Sequence, residues 1–549
     1  MEAKGTGQAL ALSLFLITPI FLSTFYNGRQ GEKAAGYLHT VSRGFYLKGG
    51  KARVSLFPGI RGEGVVNLLA IGACKLEVRR NFKKVYSGST EGLKRIKLHL
   101  SFSPRDRVDV SFAGRACVLL KPDVIVPGRG DGPVFLVVAD TLRWDSLGVY
   151  NPESKATPEI DRFSRDAVVF KWAFSTSPWT LPSHASMLSG KYPYRISLDL
   201  YPRGIPPDVK LLPELLGRDH RSFSVNGDIF LRASFGFFRG FYAYIENLRD
   251  PYIRESAKLL FKLSRDFSPY KGDFYFLHTY QVHNDYRPEF PLALRFWKEV
   301  GRFPRDSKIN LLGFLLLEGF SREWVPPAIK DEIRLIYDAG VYTFDYRFGE
   351  FLRWLKAKGL YEDSTIILTS DHGEEFQDHG GWEHGHSLYN ELIRVPLIVK
   401  FPHNRWAGHV ETEPVSLVDI APTVLEIVGL EPPPDMDGVP LPKTITGGVK
   451  GRRIFSYLGE PSYKVVRGMV AVIDWPWKLI MKNGKRKEFE LFDLKEDPLE
   501  RKNLLKNHPE VFQRLAPLLR EIPFLGRFSH KRNLSPDLLK KLRSLGYVR

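Results

Sequence analysis

The run VFLVVAD, Val134 to Asp140, limits the fold more than any other stretch, because six apolar residues in a row end on a carboxylate. A continuous apolar run of that length reads as a strand buried on both faces, as in a parallel sheet covered by helices. The pattern recurs along the chain. Thr365 to Thr369 is β-rich and runs into Ser370, Asp371 and His372, while Phe274 to Leu277 runs into His278, with His283 just beyond. Val168 to Phe174, Ser222 to Val225 and Val395 to Lys400 are further candidate strands. Helical stretches lie between them: one opens at Thr157-Pro158 with a cap and a first-turn proline, and another is the amphipathic segment Leu335 to Lys358. Strands alternating with helices predict an α/β fold, a mostly parallel sheet flanked by helices. Ligands of such sheets sit beyond the carboxyl ends of the strands, so Asp140, Asp371, His372 and the His278/His283 loop are candidates to meet there.

A second stretch, SPWTLPSHASMLSG from Ser177 to Gly190, supplies a hydroxyl. Ser177, Pro178 and Trp179 break the preceding structure, and the residues from Leu181 onward suit a helix, with Pro182 tolerated in its first turn. Thr180 then stands at a helix N-terminus, where unpaired N–H groups and the helix dipole favour negative charge. It is read either as a plain N-cap or as a nucleophile. Asp140, Thr180, Asp371 and His372 together make a plausible set for one divalent cation. The imidazole favours Zn²⁺ or Mn²⁺, and the oxygen-rich remainder leaves Mg²⁺ and Ca²⁺ open. A metal there would lower the pKa of the Thr180 hydroxyl. From Asp371 the chain reads DHGEEFQDHGGWEHGHSLY, which brings His372, His379, His384 and His386 within 15 residues. One of them can be a ligand and another a general acid; His379 reads as a surface residue, His384 as a member of the site.

The 549 residues allow two or three domains. Ala9 to Tyr26 is an apolar run near the lower limit for a membrane span. Residues 1–27 are therefore read as a signal anchor, with a signal peptide as the alternative. Residues 28–130 show six short strand-like runs (52–56, 65–69, 76–79, 96–102, 108–112 and 117–120) and suggest a β-sandwich accessory domain without a chemical constellation. Residues 131–430 form the expected catalytic domain, and 431–549 a C-terminal subdomain and tail. Cys74 and Cys117 are the only cysteines, so one disulfide or two free thiols fit equally. The net charge of +18 favours anionic partners, the Lys and Arg read as spread along the whole chain, and no nucleic-acid motif is present.

These pieces resemble the sulfatase branch of the alkaline phosphatase superfamily. The resemblance rests on VVADTLRWDSLGVY at 137–150, TPEIDRFSRDAVVF at 157–170, SPWTLPSHASMLSG at 177–190, HNDYRP at 283–288, SDHGEEFQDHG at 370–380 and HGHSLYNELIRVPLIV at 384–399. Further matches are VSLVDIAPTVLEIVGL at 415–430, WKLI at 477–480 and ELFDLKEDPLE at 490–500. The resemblance implies that Asp140, Asp371 and His372 hold a metal, and that Thr180 is both nucleophile and ligand. It implies that His283 and His384 contact the substrate or protonate the leaving group. His184, His278 and His386 are further candidates for substrate binding.

The chain departs from the formylglycine sulfatases at four places. Thr180-Leu181-Pro182-Ser183-His184 stands where they carry C/S-x-P-x-R; Thr141 replaces the second Asp of their Asp-Asp pair, and His372 replaces an Asn. A threonine cannot yield the formylglycine aldehyde, because its Cβ bears a methyl group. A threonine nucleophile is similar to that of nucleotide phosphodiesterases and phosphoethanolamine transferases. The expected activity is therefore hydrolysis or transfer of a phosphate ester, preferably a diester, on a lipid-linked or glycan-linked substrate, by a protein anchored on the extracytoplasmic face. A sulfuric ester hydrolase using unmodified threonine is the first alternative, and a non-catalytic glycan-binding surface protein the second.

Overall fold

The chain divides into two units, Met1–Pro127 and Gly128–Arg549. The computed structural model describes it from residue 37 to 522 apart from short breaks, the longest being 197–203, 247–260, 262–268, 305–326 and 460–467. Before residue 132, side chains are described mainly along 75–89. The expected anchor, residues 1–27, lies outside the described residues, as do the side chains of Cys74 and Cys117. No helix among the described residues is long and apolar enough to cross a membrane.

The described residues of the first unit form nine strands: β1 (Tyr37–Val41), β2 (Gly44–Lys48), β3 (Lys51–Leu56), β4 (Gly62–Gly72), β5 (Cys74–Arg80), β6 (Lys83–Thr90), β7 (Leu93–Phe102), β8 (Val108–Ala113) and β9 (Cys117–Ile125). They form two antiparallel sheets, ordered β1-β2-β9-β4-β7 and β3-β8-β5-β6. The six expected strands are present, and β1, β2 and β6 are added. The strand β6, KKVYSGST, is too polar to announce itself; pairing with β5 makes it a strand. On β5, Leu76 and Val78 are buried while Lys75 and Arg79 are exposed, the period of two that a one-sided sheet imposes.

The unit boundary corrects the reading of an even charge distribution. Residues 1–127 hold 20 Lys and Arg against eight Asp and Glu, a net of +12, and the remaining 422 residues hold 60 against 54, a net of +6.

The second unit is built on an eight-stranded sheet. Its strands are β10 (Val134–Ala139), β11 (Val168–Phe170), β13 (Ser222–Asn226), β14 (Ala243–Glu246), β15 (Phe274–Thr279), β16 (Thr365–Thr369), β20 (Leu397–Lys400) and β21 (Val410–Glu411), in the order β14-β13-β15-β10-β16-β20-β11-β21. All its pairings are parallel except those of β20 with β16 and β11. The VFLVVAD run is the central strand β10. Its Val134, Leu136 and Val138 enter one core with Leu181, Ala185 and Leu188 of the Thr180 helix. Its Phe135, Val137 and Ala139 enter the other, against Phe344, Phe348 and Phe351 of the long helix Pro327–Ala357. Burial on both faces is why the run carries no polar alternation.

The expected strand Val168 to Phe174 is broken. After β11 the chain crosses to β12 (Ala173–Phe174), which joins β19 (Arg394–Val395) and β22 (Val415–Ser416) in a three-stranded sheet. Trp172, at the crossing, stacks on the Arg394 guanidinium at 3.8 Å. A hairpin of β17 (Glu375–Phe376) and β18 (Trp382–Glu383) carries the histidine-rich stretch. Four antiparallel strands, β23 (Ile454–Leu458), β24 (Met469–Asp474), β25 (Trp477–Lys482) and β26 (Glu488–Asp493), end the described fold with the helix Pro509–Arg520 packed on them. That sheet is locked to the histidine-rich stretch by a fully buried ion pair. Lys478 Nζ lies 2.7 Å from Glu500 Oε1 and donates to Asn390 Oδ1 at 3.0 Å, and the Asn390 N–H donates to Glu500 Oε2 at 2.6 Å.

Candidate active site

Two strand ends and one helix start converge below the surface. Asp140 follows β10, Asp371 and His372 follow β16, and Thr180 is the first residue of the helix Thr180–Ser189. All four are at most 1% exposed. The N-cap of that helix is Trp179, in extended conformation, so Thr180 is not the cap. Its hydroxyl turns to the strand ends instead: Thr180 Oγ1 lies 3.5 Å from Asp140 Oδ2 and 3.4 Å from His372 Nε2. The plain N-cap reading is thereby replaced.

The strand ends are tied together by hydroxyls. Ser370 Oγ donates within a cluster formed by the Ala139 carbonyl at 2.8 Å and the His372 carbonyl at 2.6 Å, and it accepts from the Leu142 N–H at 2.9 Å. Ser183 Oγ, on the Thr180 helix, reaches the Asp371 carbonyl at 2.7 Å, and Ser175 Oγ reaches the same carbonyl. The helix bearing Thr180 and the loop bearing Asp371 are thus joined at the Asp371 carbonyl. Gly373 allows this turn, since a Cβ there would stand 1.9 Å from the Glu391 carbonyl oxygen. Thr141 holds a positive φ of 58°, strained for a β-branched residue. Its hydroxyl donates to the Asp140 carbonyl at 2.7 Å, and its own carbonyl accepts from Tyr337 at 2.8 Å.

Asp140, Asp371 and His372 each present one ligand atom within 4.8 Å of the others. Two carboxylates and one imidazole in a buried pocket fit a divalent cation by charge and donor type. The outer contacts fit as well. His372 Nδ1 donates to the Gly373 carbonyl at 2.9 Å, which leaves Nε2 with its lone pair turned to the carboxylates, 3.3 Å from Asp371 Oδ2 and 3.6 Å from Asp140 Oδ1.

The remaining histidines divide. His278, at 1% exposure inside β15, donates from Nε2 to Asp140 Oδ2 at 3.1 Å. His184, one turn along from Thr180, donates from Nδ1 to the Thr180 carbonyl at 2.9 Å and lies 3.4 Å from Asp371 Oδ2. The two rings meet edge to face at 5.0 Å. Burial lowers the pKa of His184 to about 4 and holds that of His278 well below the ordinary value, so both are neutral imidazoles at neutral pH. His384 stands on the other side, its ring 4.5 Å from that of His372 and 5.0 Å from that of His283. His384 Nδ1 donates to Glu374 Oε1 at 2.9 Å, with both residues almost fully buried. His386 is not gathered in; it donates to Glu375 Oε2 at 2.6 Å on the hairpin. His379 pairs with Glu391 at 2.7 Å and stacks on Tyr389.

Glu374 is the member that sequence reasoning missed. Its signal was a second carboxylate two residues after His372, indistinguishable in sequence from its neighbour Glu375. Arg143 seats it: Arg143 Nη1 donates to the Glu374 carbonyl at 2.7 Å while its guanidinium is held by Asp145 and Asp378.

Comparison with known proteins gives this geometry a family. Residues 133–430 match the sulfatase family, and residues 378–522 match the family described as N-sulphoglucosamine sulphohydrolase, C-terminal. The chain is 26% identical over 428 residues to N-acetylgalactosamine-6-sulfatase of Rattus norvegicus, covering 67% of this chain and 77% of the relative. It is 30% identical over 174 residues to N-acetylglucosamine-6-O-sulfatase of Bacteroides thetaiotaomicron, 31% of each chain. A solved protein in complex with its substrate D-glucosamine-2-N,6-O-disulfate superposes with a TM-score of 0.59 at 18% identity, over 72% of this chain and 97% of that one. The curated relatives are named for sulfate esters, which overturns the expected phosphate-ester activity in favour of its first alternative, the sulfuric ester hydrolase. With more than half of its length matched, from the strand that bears Asp140 to the end of the catalytic sheet, the chain belongs to the sulfatase family.

Proposed function

We propose that this protein is a divalent-metal-dependent sulfuric ester hydrolase acting on sulfated amino sugars of glycans, with Thr180 as an unmodified nucleophile. The observation that carries the proposal is the approach of Thr180 Oγ1 to Asp140 and His372 at the buried strand ends. The amino-sugar class is supported by the names of the relatives above. Asp140, Asp371 and His372 would hold the ion, with Zn²⁺ or Mn²⁺ favoured by the imidazole. Bound there, it would supply Lewis-acid polarisation of the Thr180 hydroxyl and of a sulfate oxygen.

The residues carry the rest. The Thr180 hydroxyl gives up its proton to solvent, its oxygen attacks sulfur, and the bond from sulfur to the sugar oxygen breaks. His384, as the imidazolium whose Nδ1–H is held by the Glu374 carboxylate, gives its Nε2 proton to the departing oxygen. His283, beside it, contacts the sulfate or the sugar. Thr180 now carries a sulfate ester and no geminal hydroxyl, so water must attack sulfur to free the enzyme. His184 and His278, neutral and buried, position the Thr180 backbone and the Asp140 carboxylate.

The test is release of inorganic sulfate. Metal-free protein is resupplied with Zn²⁺, Mn²⁺, Mg²⁺ or Ca²⁺ and offered N-acetylgalactosamine 6-sulfate, N-acetylglucosamine 6-sulfate and p-nitrophenyl sulfate. Sulfate release that disappears in Thr180→Ala, with a mass gain of one SO₃ on Thr180 in quenched reactions, is the expected result. Equal turnover by Thr180→Ala, or an aldehyde or ketone found at position 180, would overturn it.

A further inference from the structure

We propose that the sheet face carried by β5 and β6 in the N-terminal unit is a docking surface for a sulfated glycan chain. The proposal rests on the sulfated-glycan reading of the active site and gives that reading a second, non-catalytic point of contact with the polymer. The hairpin from Cys74 to Thr90 carries Lys75, Arg79, Arg80, Lys83 and Lys84 against a single carboxylate, Glu77.

The register sets like charges opposite one another: Arg79 pairs with Lys84, and Arg80 with Lys83. The first pair lies on the exposed side with Lys75 and Glu77, and the second, one residue on, lies on the other side; like charges directly opposite destabilise a sheet, so pairing alone does not account for Arg79 and Lys84. Asp109 of β8 stands opposite Arg79 on its other flank in the register, and Glu77 relieves the Arg79–Lys84 pair only in part. It accepts from Arg79 Nε at 2.6 Å and lies 3.6 Å from Lys84 Nζ, one carboxylate between two cations. Protection of a sheet edge does not account for them either. Lysines on the edge strand β6 would serve that purpose, yet Lys75, Arg79 and Arg80 stand on β5, which β8 and β6 flank on both sides.

The face is also open. Leu76 and Val78 fill the inner side, while Lys75, Arg79, Lys83 and Lys84 are exposed. Opposite Lys75 and Glu77 stand Ser89 and Ser87, short exposed hydroxyls that leave the cations uncovered. The same rows continue through β8 to Lys51 and Arg53 of β3 in the register. The unit around them holds two thirds of the chain's excess positive charge in under a quarter of its length. Several cations in rows suit a partner that presents several anions along a chain. A single sulfated sugar has too few, whereas a sulfated polysaccharide releases counterions at each contact.

The test reads binding apart from catalysis. A heparin dodecasaccharide is titrated into the full-length Thr180→Ala protein at two salt concentrations, with chemically desulfated heparin and phosphatidylserine vesicles as comparison probes. In the Arg53→Ser/Lys75→Ser/Arg79→Ser/Lys84→Ser variant, heparin affinity should fall by about tenfold or more, with a shallower dependence on salt. Glu77→Gln, which removes the carboxylate between Arg79 and Lys84, should tighten binding. With Thr180 in place, the four serine changes should leave p-nitrophenyl sulfate turnover unaltered, which also reports an intact fold. Undiminished heparin binding by the four-serine variant overturns the proposal. So do equal binding of desulfated heparin, and vesicle binding that falls while heparin binding stays. If sulfate hydrolysis itself fails, the heparin titration still stands or falls alone, so the two readings are separable.

Discussion

The two units treat charge in opposite ways. The N-terminal unit carries a net +12 and, where its side chains are described, displays Lys75, Arg79 and Lys84 on the exposed face of a sheet. The catalytic unit is near balance and buries its charges in pairs and clusters: Lys478 with Glu500, Arg143 with Asp145 and Asp378, His384 with Glu374. Exposed cations in water contribute little to stability but act over a Debye length, about 8–10 Å at ordinary ionic strength. Buried charges act over a few ångströms and must be matched, because desolvation of an unmatched one costs several kcal/mol. The first arrangement suits recognition of a polyanion, the second a fixed geometry around a metal and a nucleophile.

The contrast breaks most clearly at Thr180. Thr180→Ala should lower sulfate release by about 10⁴-fold or more, as removal of a nucleophile does. The same variant should keep its melting temperature and its retention on heparin. A parallel loss of heparin retention would mean that the units do not divide the work as described.

Lys478→Met comes next and tests burial rather than chemistry. It leaves Glu500 without its cation in a fully buried position. Loss of a partner of this kind costs about 3–5 kcal/mol. Chemical denaturation should show that loss in the catalytic unit, whereas serine substitution at Arg79 or Lys84 should leave the transition where it was.

Glu374→Gln sharpens the account of the site. The amide can present its NH₂ as well as its oxygen to His384 and carries no charge, so Nδ1 is no longer held as a donor and the imidazolium that bears the Nε2 proton loses its counter-charge. A fall in kcat of about 10–100-fold with KM little changed is expected, in the range of a general-acid contribution. An unchanged kcat would remove His384 from the proton-transfer role.

The smallest effect is with pH. Burial alone would raise the Asp145 carboxyl, but the Arg143 and Arg334 guanidiniums overcome it and hold the carboxyl well below the usual carboxylate range. A group depressed in the folded state contributes stability above its unfolded value near ~4 and loses it as pH falls through the folded value. The thermal stability of the catalytic unit should therefore fall steadily below about pH 4. Asp145→Asn should flatten that slope. An unaltered slope would show that the Arg143 cluster does not carry the acid sensitivity.

Much of the site was legible in sequence because strand ends are legible. Asp140 and Asp371 stand where apolar runs stop, and burial on both faces of β10 forces those runs to be continuous. Glu374 was not legible, since nothing local separates it from Glu375, and only the packing sends one to His384 and the other to His386. The break after Phe170 was hidden for a similar reason: the apolar run continues through Trp172, and only contact with Arg394 shows that the chain changes sheets there. The strand β6 was hidden because its partner, not its own composition, makes it one. The phosphate expectation failed differently. Four departures at the nucleophile stretch and the metal shell were given more weight than the resemblance of nearly four hundred residues around them.

By itself the sequence determined the α/β class, the strand that carries Asp140, the helix that begins at Thr180 and the residues able to hold a cation, because these follow from local periodicity and residue chemistry. Tertiary structure alone decided that Thr180 faces the carboxylates rather than caps its helix, that His184 and His278 stand behind those carboxylates while His384 faces His283, that Glu374 rather than Glu375 orients His384, and that the cations of β5 and β6 lie opposite one another. Each of these depends on which distant residues share a few ångströms, and that is set by cross-strand register and core packing, which no local stretch of chain contains.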